Sequence, residues 1–169
     1  VLFPIRSAYV KYDASNWTSL EDLDISYIDD GCERLANNHV AFHILDETLL
    51  AKYGCVEEAK IKLGACAYKT LIIPKCIVID KTTDDILREY IKQGGKVLLL
   101  DGKPQFVDGE YANFDYLESN ITFEEICKDN EYFVSNKSTN LHTSLRTVNG
   151  KKYVFAVNIG DEDLCTEIV

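Results

Sequence analysis

The chain has 169 residues, a length that fits one domain with at most a small second piece and that can bury a real core. Apolar residues make up 46% and charged residues 27%, so the chain reads as globular. The net charge of −10 repels phosphate backbones and argues against nucleic acid as a partner. Apolar runs such as Val97 to Leu100 fall far short of a membrane span, so no membrane partner is expected.

In chain order, Leu2 to Val10 is β-prone and reads as a first strand. Thr18 and Glu21 form a T-x-x-E capping box. Leu20, Leu23, Tyr27, Ile28, Leu35 and Ala36 follow at helical spacing, which predicts a helix over Ser19 to Asn37. Val40 to Leu45 reads as a second strand. Asp46 caps a short helix, Glu47 to Lys52, closed by Gly54. Val56 to Tyr68 alternates Ile61 and Leu63 with Lys60 and Lys62, and Gly64-Ala65 turns the chain. That pattern predicts a two-stranded, half-exposed excursion.

Leu71-Ile72-Ile73 is apolar on both faces and suits a buried parallel strand. Thr82, with Asp85 three residues on, is expected to cap the next helix, whose buried stripe is Ile86, Leu87, Tyr90 and Ile91. Gly94-Gly95 stops it. Val97 to Leu100 is a second buried strand, expected to lie beside the first as a parallel, central pair. Asp101-Gly102-Lys103-Pro104 is its exit turn. Phe123 to Lys128 predicts a short helix, and Tyr132 to Ser135 the last strand of the sheet. Leu141 to Val148 and Lys152 to Asn158 flank Asn149-Gly150, a strong hairpin signal, and Leu164 to Val169 starts a third strand.

These elements predict an α/β fold: a doubly wound, mainly parallel, flavodoxin-like sheet over residues 1–137, with an antiparallel β-meander over 138–169. The meander cannot bury itself alone. It packs on the α/β part or opens a β-sandwich. The chain begins at Val1, holds no Met and stops within a strand-like run, so it reads as a piece of a longer polypeptide. The six cysteines show no C-x-x-C and no zinc spacing. Scattered small hydrophobes in a reducing compartment, with the cytoplasm favoured, is the expectation.

Leu2-Phe3-Pro4-Ile5 through Tyr12, Phe42 to Leu50 (FHILDETLL) and Tyr68 to Pro74 (YKTLIIP), followed by a helix and Gly94-Gly95-Lys96-Val97, together carry a resemblance. They resemble the class I amidotransferase-like accessory domain found after the catalytic barrel of large bacterial glycoside hydrolases. The trimerisation domain of certain β-galactosidases and a similar module in α-L-rhamnosidase-like enzymes share it. The tail, from Arg146-Thr147-Val148-Asn149-Gly150-Lys151 through Asn158, looks like the sandwich that follows. Departures are His43, near which related segments carry an acid, and Ala59, where they carry Gly.

An amidotransferase-type enzyme needs a Cys on a sharp turn after a buried strand, with a His and an acid to activate it. Val97 to Leu100 is followed by Asp101-Gly102-Lys103-Pro104, and no G-x-C-x-G or G-x-S-x-G occurs. Cys76, beside Lys75, reads as a packed loop thiol, although Lys75 could lower its pKa. His39 and His43 are four apart but lack a third ligand, so no metal is expected. Asp46-Glu47 and Asp84-Asp85 sit where helix starts favour negative charge, and capping explains them better than glycosidase chemistry. Tyr9, Tyr12 and Trp17 could form an aromatic platform for a sugar, with ordinary packing as the plainer reading.

The resemblance implies a non-catalytic accessory or subunit-contact segment of a larger glycoside hydrolase, in carbohydrate metabolism. Catalytic residues and barrel would lie upstream of Val1, and no cofactor is expected. Partners would be the rest of the parent chain or a homo-oligomer. Two alternatives stand: a small-molecule or sugar-binding module, and a stand-alone enzyme. A ligand would sit over Ser7, Tyr9, Pro74, Lys75 and Asp101, at or just past the expected C-terminal strand ends.

Overall fold

A computed structural model describes residues 1–12, 15, 26–135 and 138–169. The capping box of Thr18 and Glu21, Trp17 and the first half of the long helix fall outside the described residues. In chain order the elements are β1 (Leu2–Phe3), α1 (Ile5–Lys11), α2 (Ser26–Asn37), β2 (Leu45–Asp46) and α3 (Glu47–Tyr53). There follow β3 (Gly54–Glu57), β4 (Lys60–Leu63), β5 (Cys66–Tyr68), β6 (Thr70–Ile73), β7 (Val78–Ile79) and α4 (Lys81–Lys92). The remainder are β8 (Lys96–Leu99), β9 (Phe106–Val107), β10 (Glu110–Tyr111), α5 (Phe123–Lys128), β11 (Leu141–Val148) and β12 (Lys151–Asn158). They pack as two compact units, residues 1–31 with 44–122, and residues 32–43 with 123–169.

The first unit is mixed α/β, with parallel and antiparallel ladders. The parallel pairs are β1–β2, β6–β8 and β7–β9. β6 and β8 run in register from Thr70↔Lys96 to Ile73↔Leu99, so the two all-apolar segments are neighbours, as their composition requires. β8 is not central, however. Its outer edge is closed by a loop: Val97 N–H donates to Asn120 Oδ1 (2.7 Å), Asn120 N–H to Val97 O (3.0 Å), and Leu99 N–H to Ser119 Oγ (2.9 Å). Side chains there replace a further strand and satisfy the ladder groups.

The expected first strand is mostly helix. Only Leu2–Phe3 pairs with β2, and α1 begins at Ile5. Pro4 lacks the N–H a ladder needs, and its fixed φ suits a helix start instead. The second strand shrinks likewise, from Val40 to Leu45 down to Leu45–Asp46. The excursion holds three strands, not two, in the antiparallel order β3-β4-β5. Its first turn, Glu58-Ala59, has φ of 52° and 55°, the left-handed pair that a two-residue hairpin demands. Neither residue is Gly or Asn, which hid the turn from pattern reading.

α3 starts as its sequence predicts: Asp46 accepts the N–H groups of Thr48 and Leu49. α4 does not start at Thr82. Asp80 is the cap, accepting the Thr83 N–H at 2.6 Å, and it places the helix start two residues earlier. At the far end Gly95 N–H bonds Tyr90 O and Gly94 N–H bonds Ile91 O, with Gly94 at φ 88°, a Schellman ending. Gly95 serves a second need, since a Cβ there would lie 2.3 Å from the Tyr90 ring. Leu87 and Tyr90 are fully buried, and they join Leu2, Leu50, Ile61, Ile73, Ile79, Val97 and Leu117 in one core.

In the second unit, α2 ends with Val40 N–H on Leu35 O and His39 N–H on Ala36 O. His39 takes the left-handed position at φ 59° that Gly usually fills. α5 spans Phe123–Lys128 as its pattern predicts. β11 and β12 form the expected hairpin, with Asn149 and Gly150 at φ 51° and 74°. Tyr132 to Ser135 does not extend the α/β sheet. It pairs with the chain end instead, through Val134↔Ile168 and the Phe133–Val169 backbone bonds, so Leu164 to Val169 adds no strand to the hairpin. Tyr132, Val134 and Leu141, with Leu145 and Leu164, form the core here.

Candidate functional site

The parallel pairs of the first unit leave two chemical features at their C-terminal ends. The first is a buried polar knot. α1 follows β1 and carries Arg6 and Ser7; α3 follows β2 and opens on Glu47; Asp80 follows β7. The Ser7 hydroxyl accepts the N–H groups of Ile77 (2.8 Å) and Val78 (3.1 Å) and lies 3.2 Å from Val78 O, to which it donates. It is fully occupied in holding the loop after Pro74. Glu47 Oε1 accepts the Asp80 N–H at 2.9 Å, and Arg6 reaches both acids: Nε lies 3.4 Å from Glu47 Oε2 and Nη2 3.2 Å from Asp80 Oδ2.

Glu47 is almost completely buried, and burial, the largest influence, raises its pKa above the usual carboxylate value. The Asp80 charge adds to the rise, while the Asp80 N–H and Arg6 oppose it. Arg6 answers the second carboxylate oxygen, Oε2, and the Thr83 side chain also favours the charged carboxylate. Cys76 lies in the same core. Burial, reinforced by the Glu47 charge, pushes its thiol up to about 12, which overrides any help from Lys75. A thiol so held is protonated at neutral pH and is no nucleophile. The knot is built to fasten three strand-end loops together.

The residues expected to share a ligand are dispersed in role. Ser7 and Pro74 are buried, and Ser7 is engaged in the knot. Lys75 and Asp101 are exposed, and Tyr9 projects from α1 into solvent, on a helix and not at a strand end. Asp101 has φ 61° and Gly102 φ 111°, so the chain leaves β8 through a sharp left-handed turn.

The second feature is an open cleft of about 450 Å³, lined by Lys81, Asp84, Val107, Asp108, Glu110, Tyr111 and Ala112. Lys81 and Asp108 stand just past β7 and β9, where a parallel pair opens a crevice. Asp108 Oδ2 accepts the Lys81 N–H at 3.3 Å. Asp84 is committed at the cleft wall: it accepts from the Tyr116 hydroxyl (2.6 Å) and Arg88 Nε (3.0 Å), and the Arg88 guanidinium lies 4.0 Å from the Tyr116 ring centre. Tyr111 meets Phe106 edge-on at 6.0 Å and is 83% exposed, offering a bare aromatic face beside Glu110. Sequence reading missed this cleft, because Phe106 to Asn130 shows little regular pattern outside its short helix.

In the second unit His39 Nδ1 sits 3.1 Å from Thr143 Oγ1, which also bonds the Tyr132 hydroxyl at 2.7 Å. That engages one of the two imidazoles in packing. Among the described residues no group of three or more His, Cys, Asp or Glu could hold a metal, and no helix is long and apolar enough to cross a membrane. Compared with protein families, curated proteins and solved structures, the chain matches none.

Proposed function

We propose that the chain is a non-catalytic accessory or subunit-contact segment of a larger glycoside hydrolase acting in carbohydrate metabolism, its α/β part a doubly wound, amidotransferase-like module. One observation supports the reading most. β8 leaves through the left-handed turn at Asp101-Gly102, where an amidotransferase-type enzyme would present its thiol, and an exposed carboxylate stands there instead. The nearby thiol, Cys76, is buried and held protonated. The turn carries no thiol or hydroxyl nucleophile, which supports the non-catalytic reading. The test is an assay of the chain against a panel of aryl glycosides and against glutamine. The expected result is no turnover above buffer. Turnover that disappears on changing a single Asp, Glu or Cys overturns the reading.

A second reading, a sugar-binding module, is favoured by the cleft. Tyr111 offers a flat apolar face to a pyranose ring, while Asp108, Glu110 and Lys81 offer hydroxyl partners. Titration with neutral mono- and oligosaccharides, watched by calorimetry, tests it. Heat of binding that is lost in Tyr111→Ala supports it, and no heat at millimolar sugar rejects it.

A further inference from the structure

Among the described residues, the long strands of the second unit's hairpin, β11 and β12, pair only with each other. β12 pairs with β11 on one side, and the sheet ends there among the described residues. All eight residues of β12 are exposed. Register puts Tyr153, Phe155 and Val157 on one face, opposite Arg146, Ser144 and His142 of β11. Those three are 48%, 59% and 56% exposed, and Val148 and Ile159 lengthen the bare strip. The opposite face is the one that reaches the small core, through Leu141 and Leu145. An open edge with an apolar face is a template for another strand.

The charge pattern names the partner. From Leu141 to Asn158 the hairpin holds Arg146, Lys151 and Lys152, all at its turn end, and no Asp or Glu, in a chain whose net charge is −10; Lys152 is paired with Glu131 of its own chain at 2.8 Å, so Arg146 and Lys151 carry the positive end. The other end of β12 runs into Asp161, Glu162 and Asp163. That segment is tied to the strand end, since Asn158 Nδ2 donates to Glu162 O at 2.6 Å and Asn158 Oδ1 accepts the Gly160 N–H at 3.0 Å. One strand thus has a positive end, an apolar middle and a negative end.

We propose that β12 pairs antiparallel with β12 of a second copy of this chain, across a two-fold axis at Phe155. This deepens the subunit-contact reading and rests on it. A two-fold perpendicular to the sheet keeps like faces together and requires opposite residues of equal parity. With Phe155 facing Phe155 of the second copy, Tyr153 faces Val157 and Lys151 faces Ile159 of that copy. Asn149 then faces Asp161, so the turn-end cations of each chain lie beside the Asp161–Asp163 segment of the other. The four-stranded sheet so formed carries one continuous apolar face. The opposite, parallel pairing would set cation against cation and acid against acid, at a cost.

Sedimentation equilibrium of the chain over a hundredfold range of concentration, with hydrogen exchange at both limits, tests this. A monomer–dimer equilibrium is expected, with exchange slowing at high concentration in residues 151–158. The double variant R146E/K151E should weaken association about tenfold or more. Adding D161K/D163K to it should restore association, because the ends are again complementary, while each pair alone is not. Far-UV circular dichroism identical to the parent shows that a weakened variant is still folded. A chain that stays monomeric, protection outside the hairpin, or a quadruple variant that fails to recover overturns the proposal. None of these outcomes bears on the turnover assay, by which the accessory reading is tested separately.

Discussion

Glu47 Oε1 takes the backbone N–H of Asp80 at 2.9 Å, joining the start of α3 to the cap of α4 across 33 residues. The bond survives protonation of the outer oxygen, so the knot tolerates an uncharged Glu47. Its folded-state pKa is raised, chiefly by burial. The native state therefore binds the proton more tightly than the unfolded chain. The stabilisation linked to that proton is complete below the unfolded value and fades as pH rises through the folded one. Chemical denaturation of the parent and of Glu47→Gln across the acid range should show this. The variant gains relative to the parent as pH rises above the usual carboxylate value. A difference that is flat with pH, or that runs the other way, contradicts it.

The Tyr90 hydroxyl bridges the beginnings of β6 and β8: it donates to Lys69 O at 2.7 Å and accepts the Lys96 N–H at 3.0 Å. Tyr90→Phe should cost about 1 kcal/mol in urea unfolding, because it removes the hydroxyl from a part-buried backbone N–H and C=O. Gly95→Ala should cost about 1–3 kcal/mol by pressing a methyl into the same ring. The two costs should not add, since both act through one side chain.

Thiol labelling should separate the cysteines by burial and pKa. Cys55 and Cys165 are exposed, while Cys76 is buried with its thiol pushed up to about 12. Peptide mapping after brief treatment with iodoacetamide at pH 8 should find Cys55 and Cys165 modified and Cys76 intact, until denaturant opens the core. Early modification of Cys76 would mean that its loop opens locally.

Removal of residues 138–169 should leave the first unit folded, because its core draws on none of them. It should also bare Tyr132 and Val134, which pack on Leu141, Leu145 and Leu164. Hydrogen exchange should then be unchanged in α4, β6 and β8 and should rise in Tyr132 to Ser135. Cooperative loss of protection in both places would show that the tail is integral to one folding unit.

Legibility in the sequence followed locality. Asp46 before Glu47, Gly94-Gly95 after α4, and Asn149-Gly150 between alternating strands each carry their geometry in adjacent residues, and the structure has all three. Leu71–Ile73 and Val97–Leu99 declared their pairing by being apolar throughout. What stayed hidden depended on distant partners. Ser7 looked like a strand-end residue until Ile77 and Val78 were seen to claim its hydroxyl. Glu58-Ala59 gave no turn signal because its left-handed backbone is imposed by the flanking β3–β4 ladder. The cleft needed β9 and α4 brought together, which neither segment announces by itself.

The loop beside β8 has a meaning beyond the hydrogen bonds it makes. Asn120 and Ser119 occupy the groups through which that strand would otherwise recruit a neighbour. They act as a stopper on growth: the ladder of β6 and β8 ends at two side chains of a loop, not at a barrier of sequence within the strands themselves. A pair of changes such as Ser119→Ala with Asn120→Ala leaves every buried apolar residue in place, yet it unpairs the Val97 and Leu99 N–H groups on the edge of an apolar run and invites a further strand there. The fate of such a variant would be decided by self-assembly and not by unfolding, which makes this quiet surface loop a guardian of the dispersed state.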